Sequence, residues 1–166
     1  ETIENNVRRK IIKEHLSDPA YYNKMSALLD EIITARKAKA IEYEEYLKRI
    51  ALLARRVEAG LAEDMPEQLK NSPALRALYN NLKKAAPVPT QTPAQAEHVA
   101  EAPVAYADPA LDLALKIDTA VKQVRPDGWR GVQAREQVIK EAVYEILQDE
   151  AEVERIFLII KAQGEY

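Results

Sequence analysis

Apolar residues recur at helical spacing along most of this chain, and punctuation between the runs divides them into about seven helices. The first run places Ile3, Val7, Ile11 with Ile12, and Leu16 at intervals of three to five residues, the stripe of an amphipathic helix. Asp18-Pro19 then supplies an N-cap and first-turn pair. The second run puts Tyr22, Met25, Leu29, Ile32 and Arg36 on one stripe that Leu28 and Ile33 broaden. No further Gly or Pro occurs until Gly60, so the pattern predicts a second helix passing into a third with only a bend near Ala38 to Ile41. Tyr43, Leu47, Ile50, Leu53 and Val57 continue the period, and Gly60 stops it.

Residues 61–71 read as a polar connection containing Pro66. Ser72-Pro73 opens a fourth helix with Leu75, Leu78, Tyr79 and Leu82 on its apolar side. From Ala85 to Asp108 the period disappears, and Pro87, Pro89, Pro93 and Pro103 lie among Ala, Thr, Gln and Glu. That composition predicts a linker or a disordered insertion. Asp108-Pro109 restarts the pattern with Leu113, Ile117, Val121 and Val124, and Arg125-Pro126-Asp127-Gly128 is a turn by composition. A sixth helix carries Val132, Ile139, Val143 and Ile146. The last spans about Ala151 to Ala162 with Val153, Ile156, Phe157 and Ile160. A strand over Ile156–Ile160 is the competing reading, because β-branched and aromatic residues favour one, but its flanks are helical and it has no second strand to pair with. The expected fold is an all-α bundle of about seven helices in two parts: residues 1–84, a Pro/Ala-rich linker over 85–108, and residues 109–166.

Composition narrows the chemistry. The chain of 166 residues holds no Cys and only 4 Gly, which removes disulfides, thiolate metal sites and cysteine nucleophiles. No apolar run is long enough to span a bilayer, so a membrane location is not expected. The N-terminus is charged from Glu1 onward, unlike a signal peptide, and a start without Met inside a helix reads as a segment of something longer. The net charge of −3 is uneven: residues 1–84 hold 16 of the 24 Lys and Arg and 13 of the 27 Asp and Glu, whereas the remainder holds 8 basic and 14 acidic residues. Neither half has the strongly basic balance of a stand-alone nucleic-acid binder.

Candidate chemistry is sparse. The glycines at positions 60, 128, 131 and 164 form no phosphate-cradling loop, and Asp149-Glu150-Ala151-Glu152 suits a helix N-terminus, where the macrodipole favours negative charge. Glu42, Glu44 and Glu45 alternate with Lys and Arg as a solvated face. His15 and His98 lack ligand-spaced partners. Arg8-Arg9-Lys10 with Lys13, Arg36-Lys37 with Lys39, and Arg55-Arg56 are the basic clusters; each has acids nearby, which favours a solvated face over phosphate contact. Trp129, the only Trp, stands beside Arg130 in a turn. It suits an interaction anchor, and slightly better a residue that pins the fifth and sixth helices together. The interaction candidates are therefore Arg8, Arg9, Lys13, Trp129 and Arg130, with no catalytic, metal or cofactor residue.

Several stretches, in this order, resemble the C-terminal region of the restriction (R) subunit of type I restriction-modification enzymes. They are ENNVRRKIIKE (Glu4 to Glu14), DPAYYNKMSALLDEII (Asp18 to Ile33), AIEYEEYLKRI (Ala40 to Ile50), SPALRALYNNL (Ser72 to Leu82) and LALKIDTAVKQVRPDGWRGVQAREQVIKEAVYEIL (Leu113 to Leu147). The resemblance implies a parent subunit that is an ATP-dependent type I site-specific deoxyribonuclease using ATP and Mg, with its nuclease and motor domains upstream and a helical C-terminal region. That region would dock the translocase onto a methyltransferase core of modification and specificity subunits, contact the upstream motor domains, and meet DNA through the cytoplasmic holoenzyme. The alternatives are an element contacting DNA during translocation and a structural brace within the subunit. The 85–108 insertion departs from the family, which joins the corresponding helices more briefly.

Overall fold

The computed structural model describes residues 2–60, 65–83 and 108–166, all of them helical or in short connections. Seven α-helices follow one another: α1 (Thr2–Glu14), α2 (Pro19–Lys37), α3 (Tyr43–Ala59), α4 (Pro73–Lys83), α5 (Pro109–Val124), α6 (Gln133–Leu147) and α7 (Glu150–Ala162), with a 3-10 turn at Glu67–Leu69. Among the described residues the fold is all-α, as the spacing predicts. The Asp-Pro pairs act as expected. Asp18 accepts a hydrogen bond from the Tyr21 N–H at 3.2 Å, Asp108 from the Ala110 N–H at 3.0 Å, and in both helices Pro occupies the first turn, where no amide partner is missed. Asp149 caps α7 in the same way through the Glu152 N–H. No described helix is long and apolar enough to cross a membrane.

Between α2 and α3 the predicted bend is a full helix stop. The Lys39 N–H donates to the Arg36 carbonyl and the Ala40 N–H to the Ala35 carbonyl, with Lys39 at φ 55°, which is a Schellman termination. Glycine is the usual residue there because it lacks the Cβ that crowds the left-handed region. Replacing Lys39 by Gly is therefore expected to stabilise the fold by about 0.5–1 kcal/mol, read as a higher urea midpoint at unchanged slope.

The helices bury their stripes in two cores. The first is built from Val7 and Ile11 of α1, Tyr21, Tyr22, Met25, Leu29 and Ile32 of α2, and Tyr46, Ile50, Leu53 and Val57 of α3. The second gathers Met65, Leu69, Trp129 and Tyr166 around α4, α5, α6 and α7, with Leu78, Ile117, Ile139, Ile156 and Ile160 fully enclosed. Enclosing each such side chain stabilises the fold by about 1.5–3 kcal/mol. In chain order α4 falls within 1–84, yet its apolar face packs with α5 to α7, and the break between the cores lies between Gly60 and Met65. Residues 84–107, which contain His98 and all of the expected linker but Asp108, are outside the described residues. Of the polar connection 61–71, Met65 and Leu69 are core residues.

Candidate docking groove

The two cores meet where α2 packs on α4, and a polar seam fixes that meeting. Asp18, 8 % exposed at the corner between α1 and α2, accepts from the Asn80 side-chain amide at 2.7 Å and from that of Asn81 at 2.8 Å. Asn81 also accepts from the Ala20 N–H and donates to the Ala77 carbonyl. From the other side the Gln163 amide donates to the Ser17 carbonyl. Burial dominates the Asp18 carboxyl and pushes its pKa up to about 6, against the opposing pull of its bonds to Asn80, Tyr21 N–H and Asn81 and of the Arg76 charge. These bonds satisfy the polar groups that the seam takes out of water.

Beside the seam lies an apolar groove of about 450 Å³. Leu16, Pro19, Ala20 and Asn23 form one wall, Asn81 lies at the base, and Arg155, Leu158, Ile159, Lys161 and Ala162 form the α7 side. Leu16 is 74 % exposed and Leu158 is 64 % exposed. Leu158 faces outward for a geometric reason. Five consecutive apolar residues, Ile156–Ile160, on a helix that turns about 100° per residue surround the whole axis, so one of them must leave the core. Arg155 is held by Glu152 and by the Asn81 carbonyl, and Lys161 pairs with Glu136 at 2.7 Å. That pairing, followed by the Gly131 N–H, holds the Glu136 carboxyl below its usual range.

Two other grooves are open. One lies between the start of α1 and α3, with Ile3, Tyr43 and Leu47 exposed on it and the Arg36 guanidinium 5.2 Å from the Tyr43 ring centre. The other lies between α6 and α7 and is lined by Glu141, Glu145, Glu150 and Glu154 around Tyr144. The groove at the seam, unlike these two, is built by both cores. Among the described residues, no three His, Cys, Asp or Glu side chains come together as a metal ion would require.

The five interaction candidates are dispersed. Arg8, Arg9 and Lys13 are exposed on α1, with Arg8 paired to Asp30 of α2 at 2.7 Å. Trp129 is buried in the second core, its ring centre 5.9 Å from that of Phe157 on α7. It pins the turn between α5 and α6 onto α7. Arg130 lies over the indole, 4.7 Å from its centre, and donates to the Lys161 and Gln163 carbonyls that end α7, a cationic cap at a helix C-terminus. Pattern reading missed Leu158, Asn81 and the seam. Leu158 was findable from the length of the apolar run; the Asn81–Asp18 pair, 63 residues apart, left no local signal.

Comparison with known proteins returned no matching family model, no matching curated protein and no matching solved structure.

Proposed function

We propose that the chain is the helical assembly domain of a type I restriction enzyme R subunit, docking the ATP-dependent translocase and endonuclease onto the methyltransferase core of modification and specificity subunits. What carries the reading is the groove at the seam: large leucines are left in water in a groove to which both cores contribute, and an apolar surface with polar edges suits a protein partner. The order of the family-like segments, from Glu4 to Leu147, supports the choice of partner. On this reading the protein works in the cytoplasm, its partners also include the motor domains of its own subunit, DNA is met through the holoenzyme, and ATP and Mg belong to those motor domains.

The test is association of the purified chain with the methyltransferase core, followed by light scattering. The expected result is a complex whose affinity changes little between about 50 and 200 mM salt, whereas phosphate contacts would weaken steeply over that interval. Absence of a complex at micromolar concentrations would sink the reading. A steep salt dependence would favour DNA contact by α1 cations such as Arg9 and Lys13.

A further inference from the structure

We infer that the groove at the seam takes one amphipathic helix of a partner polypeptide, with carboxylates flanking its apolar stripe. The inference deepens the assembly reading and rests on it. Three features select this occupant. The α7 edge is spaced for a helix: Ala162 lies one turn beyond Leu158, and Leu16, in the turn after α1, lines the opposite side. Side chains at that spacing form the ridges between which another helix lies. Pro19, Ala20 and Ala162 are small, so a helix backbone can come close. The walls are helices with no open sheet edge, so an extended peptide would find no ladder for its backbone N–H and C=O groups. A helix satisfies its own.

Charge decides what flanks the stripe. The lining contains two cations, Arg155 and Lys161, and no carboxylate. Their acidic partners, Glu152 and Glu136, lie outside the lining. An incoming Glu or Asp would meet the guanidinium or ammonium at the rim of an apolar floor. An incoming Lys would meet like charge, which discriminates between partners more strongly than it changes bare affinity.

Two fluorescein-labelled peptides of about 18 residues, or five helical turns, test this against the full chain by anisotropy. Both carry the same Leu and Ala stripe; one is flanked by Glu, the other by Lys. The Glu peptide is expected to bind at least about ten-fold more tightly, equivalent to about 1.4 kcal/mol. The double variant Leu16→Ser/Leu158→Ser is expected to weaken it by about ten-fold or more, as loss of apolar anchors does, with unchanged circular dichroism and melting because both side chains face water. Lys161→Gln should narrow the preference for Glu. Equal affinities, a preference for Lys, no binding of either peptide, or binding that ignores the double variant would each overturn the inference. So would a mass that rises with concentration and is abolished by the double variant, since a second copy would then be the occupant. If the double variant still joins the methyltransferase core, the groove assignment fails and the assembly reading stands. If the unaltered chain takes the Glu peptide but ignores the core, the assembly reading fails and the groove assignment stands.

Discussion

Tyr166→Ala is expected to destabilise the protein by about 3–5 kcal/mol, the range for deleting a buried aromatic side chain. Tyr166 is buried in the second core, and its hydroxyl donates to Asp118 Oδ1 at 2.7 Å. Asp118 is itself buried on α5 and accepts from Lys122 at 2.9 Å through its other oxygen. Burial, reinforced by that carboxylate, holds the phenol protonated far above its ordinary range. The same segment makes further ties. Glu165 accepts from the Ser72 hydroxyl at 2.6 Å and the Ala74 N–H at 3.2 Å, capping α4, and its carbonyl accepts from Arg125. Losing the ring therefore opens a cavity and loosens the start of α4. Tyr166→Phe isolates the hydroxyl, and should cost about 1–3 kcal/mol because Asp118 loses a donor while still buried. Trp129, enclosed in the same core, reports the transition by its fluorescence during urea unfolding. A loss under about 1 kcal/mol for the alanine variant would mean that the segment does not hold the second core together.

How far such features can be read from the chain depends on how local their cause is. The helix starts at Pro19, Pro73 and Pro109 are legible because a cap and a proline act within one turn. The stop after α2 is harder: its left-handed position is occupied by Lys39 where glycine usually signals it, so only a bend is visible in the pattern. In α3 the expected stripe includes Tyr43 and Leu47, both of which are exposed, and omits Tyr46, which is buried. Tyr43, Tyr46 and Leu47 are all apolar enough to sit in a core, and the choice is made by α1, where Glu4 accepts the Tyr46 hydroxyl. The groove follows the same logic. Leu16 is expected among core positions, and only the placement of α7 beside the corner of α1 and α2 leaves it in water in the groove. Leu158 falls outside the expected stripe of Val153, Ile156, Phe157 and Ile160, and the length of its apolar run already sends one residue outward. The Trp129–Arg130 pair is conspicuous in the sequence, but the groups that claim Arg130, the Lys161 and Gln163 carbonyls, are more than 30 residues away.

Asp18→Asn is expected to change how stability depends on pH, by an amount comparable to the cost of losing a buried side chain. The unfolded chain releases the Asp18 proton near 3.8, whereas the folded protein keeps it up to about 6. Between those values the folded state binds one proton more than the unfolded state, so acid favours folding through this group. Its contribution is complete below about pH 4, is lost as pH rises through about 6, and amounts to roughly 3 kcal/mol at about 1.4 kcal/mol per unit. Asparagine has no charge to desolvate, remains a good N-cap for α2, and offers an oxygen to the Asn80 or Asn81 amide. The stability of the variant relative to the natural chain should therefore rise by roughly 3 kcal/mol between pH 4 and pH 7, most of it between 4 and 6. The neighbouring phenols of Tyr21 and Tyr22, raised above their ordinary value by burial, stay protonated throughout this interval, so the difference between the two chains isolates position 18. Urea unfolding at a series of pH values measures the difference directly. Parallel profiles would show that the three donors and Arg76 outweigh burial and keep the carboxylate ionised throughout. Asp18→Ala separates charge from geometry: without any oxygen at this position the Asn80 and Asn81 amides and the first turn of α2 lose their acceptor, so it should be less stable than the asparagine variant at every pH. Because Asp18 lies at the seam and outside the groove lining, the asparagine variant should also keep its affinity for the Glu-flanked peptide, and a coupled loss would mean that the seam sets the groove's shape.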